Sequence, residues 1–271
     1  MPLIEVNGAE VYIEDTGAPA GRPDAPAVVF GHGLLFSGRM YAAQVARLKD
    51  RYRCVTIDWR GQGKSPGSPG DAHMDTLTQD AVAIIEGLNA GPVHYVGLSM
   101  GGFVGIRLGA RHPELLRSLC LLDTSSGPED PDNVSKYRLL AKVYRVVGMR
   151  PVSSQVLPIM FGKTFLGTEA GKAGVKAFLH DLGQVKRPGM VKAILGVTDR
   201  PAVEDELARI HTPTLVIVGE EDTATPVDKS RTIVAGIAGS RLEIVPESGH
   251  SSTVEQPDRL SDLIEAFVDQ H

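Results

Sequence analysis

Two periods of hydrophobicity take turns along the chain. At the start the apolar residues alternate with polar ones: "LIEV" and "AEVYIED" flank Asn7-Gly8, and alternation about an Asn-Gly pair predicts a tight β-hairpin. After the turn-rich stretch "GAPAGRPDAPA" the pattern changes to short, nearly unbroken apolar runs, "VVFGH", "CVTID", "VHYVGL" and "SLCLLDT". Between the last three lie "MDTLTQDAVAIIEGL" and "GGFVGIRLGARH", whose apolar positions have helical spacing. Unbroken apolar runs suit strands buried on both faces, and strands that alternate with helices predict a parallel sheet covered on both sides.

The rhythm stops after Ser126. From about Gly127 to His211 the spacing is helical and no strong strand occurs; "KYRLLAKVYRVVG", "SSQVLPIMFG", "AGVKAFLHDLG" and "MVKAILGVTD" predict short helices separated by Gly and Pro. Strand character returns in "TPTLVIVGEED" and "SRLEIVPESGH", and "DRLSDLIEAFVDQ" predicts a final amphipathic helix. The expected fold is α/β, with a mostly parallel eight-stranded sheet flanked by helices. Residues 1–126 and 212–271 would form the core domain, with 127–211 as a helical cap inserted after the sixth strand. The insertion is lean in large apolar residues, so it is expected to lean on the core rather than fold as a second independent domain.

Composition removes several alternatives. The 271 residues carry a formal charge of -5, with 42% hydrophobic and 23% charged residues, ordinary values for a globular protein. Mild acidity argues against a nucleic-acid partner, which needs a basic face. The longest apolar runs, such as "TLVIVG", are far too short to span a bilayer. The opening "MPLIEVNGAEVYIEDTG" lacks the charged start and apolar stretch of a signal peptide. Cys54 and Cys120 sit in strand-like apolar runs, where buried thiols of a cytoplasmic protein are expected. No His/Cys/Asp cluster has metal-ligand spacing, so neither metal nor cofactor is expected.

The chemistry gathers around "YVGLSMGG", residues 95–102. Gly97-x-Ser99-x-Gly101 between a predicted strand and a predicted helix fits a nucleophile elbow. The glycines let a strained turn present Ser99 without collision, and the following helix N-terminus favours developing negative charge. A serine hydroxyl needs a base, and in an open α/β sheet chemistry collects beyond the carboxyl ends of the strands. Of eight histidines, His32 in "VVFGHGLL" and His250 in "VPESGHSS" hold such positions. The glycines around His32 suggest an oxyanion loop, which leaves His250 as the base. Its orienting acid is Asp222 in "VIVGEEDTATP" or Asp123 in "LLDTSS". The oxyanion donors are expected to be the backbone N–H groups of Met100, directly after the nucleophile, and Leu34. Leu34 and the apolar cap segment "VLPIMFGKTFLG", with Leu157, Ile159, Met160, Phe161 and Phe165, are the expected substrate-facing side chains.

With these residues placed, the chain resembles the α/β-hydrolase-fold serine hydrolases. The resemblance is carried by "GHGLL" (31–35), "DWRGQGKS" (58–65), "GLSMGG" (97–102), "GEEDTATP" (219–226) and "SGHSSTVEQP" (248–257), in the family's order and over nearly the whole chain. The family pattern G-x-x-D-x-x-x-P falls on Gly219, Asp222 and Pro226 and selects Asp222 as the acid. The D-x-R-G-x-G-x-S turn matches at Asp58, Arg60 and Ser65, where the resemblance implies a structural role. Dehalogenases and epoxide hydrolases of this fold use an aspartate where this chain has Ser99. The elbow and "HSSTVEQP" are similar to 3-oxoadipate enol-lactonases, and aryl esterases and cofactor-free perhydrolases share Ser-Met-Gly-Gly. Carbon-carbon bond hydrolases often carry Asn and Trp where this chain has Leu98 and Ser251. The resemblance implies an enzyme, a carboxylic-ester hydrolase with Ser99, His250 and Asp222 as its triad and a small-molecule ester as substrate. A lactone or enol-lactone hydrolase is the alternative, ahead of a carbon-carbon bond hydrolase, a perhydrolase or a ligand receptor. It would act as a monomer or homodimer.

Overall fold

The computed structural model describes residues 3–68 and 70–271; Met1 and Pro2 of the expected core domain, and Pro69, lie outside the described residues. Strands β1 (Leu3–Val6) and β2 (Ala9–Asp15) form the predicted hairpin. Asn7 and Gly8 both have positive φ, 47° and 72°, as a two-residue turn matched to strand twist requires. Strands β3 (Ala27–Gly31), β4 (Arg53–Asp58), β5 (Val93–Leu98), β6 (Leu116–Leu122), β7 (Thr214–Gly219) and β8 (Arg241–Val245) complete an eight-stranded sheet among the described residues, in the order β1-β2-β4-β3-β5-β6-β7-β8. Every pairing from β4 onward in that order is parallel, and only β1 and β2 run against their neighbours.

Helices α1 (Ala42–Leu48), α2 (Met74–Gly87) and α3 (Met100–Arg111) come before the cap. The insertion expected as a cap holds α4 (Pro131–Val147), α5 (Ser153–Met160), α6 (Lys163–Leu166), α7 (Glu169–Gln184) and α8 (Arg187–Thr198), all between β6 and β7. Then follow α9 (Val227–Gly236), α10 (Ser252–Glu255) and α11 (Pro257–Val268). Neither α1 nor α9 was marked by the hydrophobic pattern. Helix α1 is only seven residues long, and α9 buries just Ser230 and Ile233. No helix among the described residues is long and apolar enough to cross a membrane.

Successive strand residues point to opposite faces, and the core divides accordingly. Val29, Tyr95, Leu119 and Val216 pack with α2, α3 and α9 on one face. Val28, Val96, Cys120 and Leu215 pack with Leu48 of α1 and Leu260 and Ile264 of α11 on the other. Cys54 and Cys120 are both buried and free; burial pushes the Cys54 thiol up to about 12 and the Cys120 thiol higher still. A third cluster binds the cap: Tyr144, Met149, Val156, Phe161, Phe165 and Phe178 pack with Leu35, which the core supplies. The insertion thus gathers an apolar cluster of its own, completed by Leu34, Leu35, Phe36 and Val254 from outside it.

Backbone packs directly on backbone where α3 meets the ends of β3 and β5. A Cβ on Gly101 would run into the Gly31 carbonyl, and one on Gly97 into the Gly101 carbonyl. Gly101→Ala is therefore expected to destabilise the protein by about 3 kcal/mol or more, because neither obstacle is a movable side chain. Gly87, at the exposed end of α2 with open space around it, is the control: Gly87→Ala should stabilise by about 0.5–1 kcal/mol. Urea unfolding of both variants checks the pair of signs.

Candidate active site

Ser99 joins β5 to α3 at φ 51° and ψ -112°, a conformation that persists only where the surroundings enforce it. They do so from both sides. Its N–H donates to the Leu122 carbonyl of β6 at 2.9 Å, and its carbonyl accepts from the Phe103 N–H at 2.9 Å and the Thr124 hydroxyl at 2.8 Å. The side chain opens on a cavity that it shares with His250 and Leu34. Met100 begins α3, and the first N–H groups of a helix have no acceptor within it. Leu35, at φ 70°, donates its N–H to Gln62 Oε1 at 3.0 Å, and Gln62 Nε2 lies 3.7 Å from Met100 Sδ. Buried Gln62 therefore ties the loop of Leu34 to the elbow. The only sequence signal for it is its place inside "DWRGQGKS".

His32 faces another way. Its Nε2 accepts from the Trp59 N–H at 3.0 Å, its Nδ1 donates to the Gly33 carbonyl at 2.7 Å, and its own carbonyl accepts from Trp59 Nε1 at 3.0 Å. Burial holds its pKa below the ordinary histidine value, against the opposing charge of Asp58. A neutral imidazole with both nitrogens engaged pins the loop after β3 to the end of β4.

His250 lies in the loop after β8, with Nδ1 2.9 Å from Asp222 Oδ2. Asp222, at the end of β7, accepts from the N–H groups of Ala224 at 2.8 Å and Thr225 at 2.9 Å, and from the Thr225 hydroxyl at 2.8 Å. These bonds hold the carboxylate in one orientation. Burial works against the imidazolium of His250, but the charge and hydrogen bond of Asp222, helped by Asp123 and Glu255, outweigh it and raise the pKa above the ordinary value. Asp123 is the other acid that the residues alone left open. It turns towards β7 and α10, accepting from the Gly219 N–H at 2.8 Å and from the Ser252 hydroxyl. Burial first, and repulsion from Asp222 second, push its carboxyl well above the usual range.

The rest of the cavity departs from expectation. Leu34, Ile159 and Met160 line it, whereas Leu157, Phe161 and Phe165 are not part of the wall it shares with Ser99. On α5 the residues Val156, Ile159 and Met160 share one face at i, i+3 and i+4; Leu157 lies off that face and packs into the cap cluster. Phe161 and Phe165 stack at 5.5 Å, and Phe178 meets Phe161 edge-on at 5.5 Å. The three rings pack within the cluster of the insertion. Two predicted helices to which the sequence assigned no substrate-facing residue supply much of the wall, α4 through Tyr137, Leu140 and Tyr144 and α8 through Ile194, Val197 and Thr198. Their i, i+3 or i+4, i+7 spacing was the available signal.

Residues 28–263 match the family model described as the alpha/beta hydrolase family. The chain belongs to that family. It is 28% identical over 251 residues to 3-oxoadipate enol-lactonase 2 of Acinetobacter baylyi, covering 93% of this chain and 91% of the relative. Among solved structures, a thermophilic esterase from Thermogutta terrifontis superposes with a TM-score of 0.88 at 26% identity, over 100% of this chain and 97% of that one. The enol-lactonase from Burkholderia xenovorans does so with a TM-score of 0.90 at 26% identity, over 99% and 100%.

In this alpha/beta hydrolase a second carboxylate braces the His250 loop. Glu255 of α10 accepts from the N–H groups of Gly249 at 2.8 Å, Ser251 at 3.0 Å and Gly162 at 3.0 Å. Burial raises its pKa, although the three amides favour the ionised form. Gly162 belongs to the cap, so one carboxylate joins cap and histidine loop. The Ser251 hydroxyl, donating to the Met160 carbonyl at 2.6 Å, and Glu221, accepting from the Thr164 N–H at 2.9 Å and its hydroxyl at 2.7 Å, extend that clasp.

These electrostatics can be read directly. In the hydrolase with ¹⁵N-labelled histidine, His250 should titrate by NMR above the ordinary value of about 6.5. Asp222→Asn should lower that pKa more than Asp123→Asn, since Asp222 both faces and bonds the ring. A larger drop for Asp123→Asn would reverse the assignment of partners.

Proposed function

We propose that the protein is a serine hydrolase that cleaves a carboxylic ester of a small or medium substrate through an acyl-enzyme on Ser99. The observation that carries the proposal is the 2.9 Å bond between His250 Nδ1 and Asp222 Oδ2 beside a cavity that Ser99 also lines. A ring bonded to a carboxylate through Nδ1 turns Nε2 outward as the proton acceptor. His250 takes the Ser99 proton as Oγ attacks the ester carbonyl. The oxyanion that forms is held by the N–H groups of Met100 and Leu34. His250 returns the proton to the departing alcohol. It then activates water, which releases the acid and restores Ser99. Asp222 fixes the tautomer and stabilises the imidazolium. Residues 127–211 act as the lid, with Met160 and Leu34 against the substrate.

Lactone hydrolysis is the second reading, favoured by the relationship to 3-oxoadipate enol-lactonase 2. A lactone is a cyclic ester, so the same steps apply and the departing oxygen stays tethered to the acyl group.

Two outcomes are expected. Ser99→Ala and His250→Ala should each lower kcat by about 10⁴-fold or more, and the double variant should fall little further, because both serve one step. A fluorophosphonate should label only the peptide carrying "GLSMGG". Near-additive losses, or labelling of another peptide, would count against a shared step on Ser99.

A third outcome concerns pH. His250 must be neutral to accept the proton, and its pKa is raised. The acid limb of kcat/KM should therefore lie above pH 6.5, with activity lost as the pH falls through it. Asp222→Asn should move that limb downward while depressing the plateau. An acid limb that stays in place in Asp222→Asn would remove His250 as the titrating base.

A further inference from the structure

The cavity wall is apolar along most of its length, but one charged pair breaks it. Arg200 and Glu129 both line the cavity, and Arg200 Nη1 lies 2.8 Å from Glu129 Oε2. Their side chains are only 5% and 12% exposed. The guanidinium carbon sits 4.3 Å from the centroid of the Phe103 ring. Phe103 is one helical turn beyond Ser99 and lines the same wall. The route from the serine therefore runs over Phe103 and reaches the ion pair.

Protein acceptors already hold the guanidinium. Nε donates to the Gly127 carbonyl at 3.2 Å, Nη1 to the Val197 carbonyl at 2.9 Å as well as to Glu129, and Nη2 to the Ser125 hydroxyl at 3.4 Å. Glu129 also accepts from the Asp130 N–H at 3.2 Å. Among the residues lining this end of the cavity, one positive and one negative group cancel. A substrate carboxylate arriving here would leave water, meet an arginine whose charge is already matched, and face the Glu129 carboxylate. An ion without a free counter-charge in such a place is strongly disfavoured. An uncharged chain carries no such penalty, and a terminal amide or hydroxyl could still use an Nη2 proton.

Resting on the hydrolytic reading of the Ser99 site, we propose that the Glu129–Arg200 pair sets the charge selectivity of this cavity. It admits esters and lactones whose distal arm is uncharged and rejects those whose arm ends in a carboxylate. Glu129 is the gate, because it cancels an arginine that would otherwise receive the carboxylate.

The experiment compares esters that differ only in one terminal group, carboxamide against carboxylate. The group is placed at the end of the acyl arm in p-nitrophenyl half-esters of glutarate, adipate and pimelate, and at the end of the alcohol arm in a matching series of acetates. In the parent, kcat/KM for the amide should exceed that for the carboxylate by about 10–100-fold in the arm that reaches the pair. Glu129→Gln should shrink or invert this ratio by at least about tenfold, since Arg200 is then unmatched. Arg200→Gln should shift it the other way, leaving Glu129 to repel the anion. A role confined to packing moves both variants in the same direction. Each ratio is internal to one variant, so partial folding cancels.

Unreactive ketone analogues with the same two terminal groups, titrated calorimetrically, give the same ratio as dissociation constants. If no ester is turned over, the hydrolytic reading falls and the ketone affinities still decide charge selectivity. A parent that takes both terminal groups equally in both arms overturns the proposal. So does a Glu129→Gln variant whose ratio does not move.

Discussion

Backbone meets backbone without intervening side chains at the crossing of α3 with the ends of β3 and β5. Gly31, Gly97 and Gly101 leave no room there for a Cβ, so the first turn of α3 sits directly on the sheet. Two buried tyrosines complete the contact, with the Tyr41 hydroxyl donating to the Gly31 carbonyl at 2.9 Å and the Tyr95 hydroxyl to the Gly101 carbonyl at 3.0 Å. Polar backbone at such close quarters is tolerable because each of these carbonyls has a partner. The chain has to turn from strand to helix within one residue, and Ser99 takes up that turn as an unfavourable φ. Strain at a single residue is stable when packing on both sides is this rigid.

Around that fixed point the protein distributes buried carboxylates by their hydrogen bonds. Asp222, Asp123 and Glu255 all raise the pKa of His250, yet their partners differ. Asp222 receives the ring and a turn of amides, Asp123 fastens β7 to α10, and Glu255 gathers three N–H groups of cap and loop. Charge close to the histidine is thus separated from contact with it. The inserted segment is held by the same loops that carry His250 and Asp222, through Glu255, Ser251 and Glu221. These contacts set the α5 wall of the cavity directly beside the proposed proton acceptor.

Much of this was legible in the sequence because it is locally encoded. The Asn7-Gly8 hairpin, the unbroken apolar strands, the helical break between β6 and β7 and the glycine-boxed Ser99 follow from turn chemistry and hydrophobic period, which act over a few residues. The position of His250 beyond a strand end also follows, since strand ends collect on one side of a parallel sheet. The two acids could not be separated this way. Asp123 and Asp222 both end adjacent strands, and only the three-dimensional path of each loop decides which carboxylate meets the ring; the family resemblance, not the spacing, had singled out Asp222. The cap shows the same limit. Helical period marks α5 but does not state which face meets the cavity, so Leu157, Phe161 and Phe165 were expected beside the substrate and instead pack the cap. The sequence by itself determined the strands, the longer helices and the serine turn, but not α1 or α9. The tertiary structure alone decided the cavity's polar end, because Glu129 and Arg200 stand 71 residues apart and meet only where the start and the end of the insertion come together, α4 packing on α8.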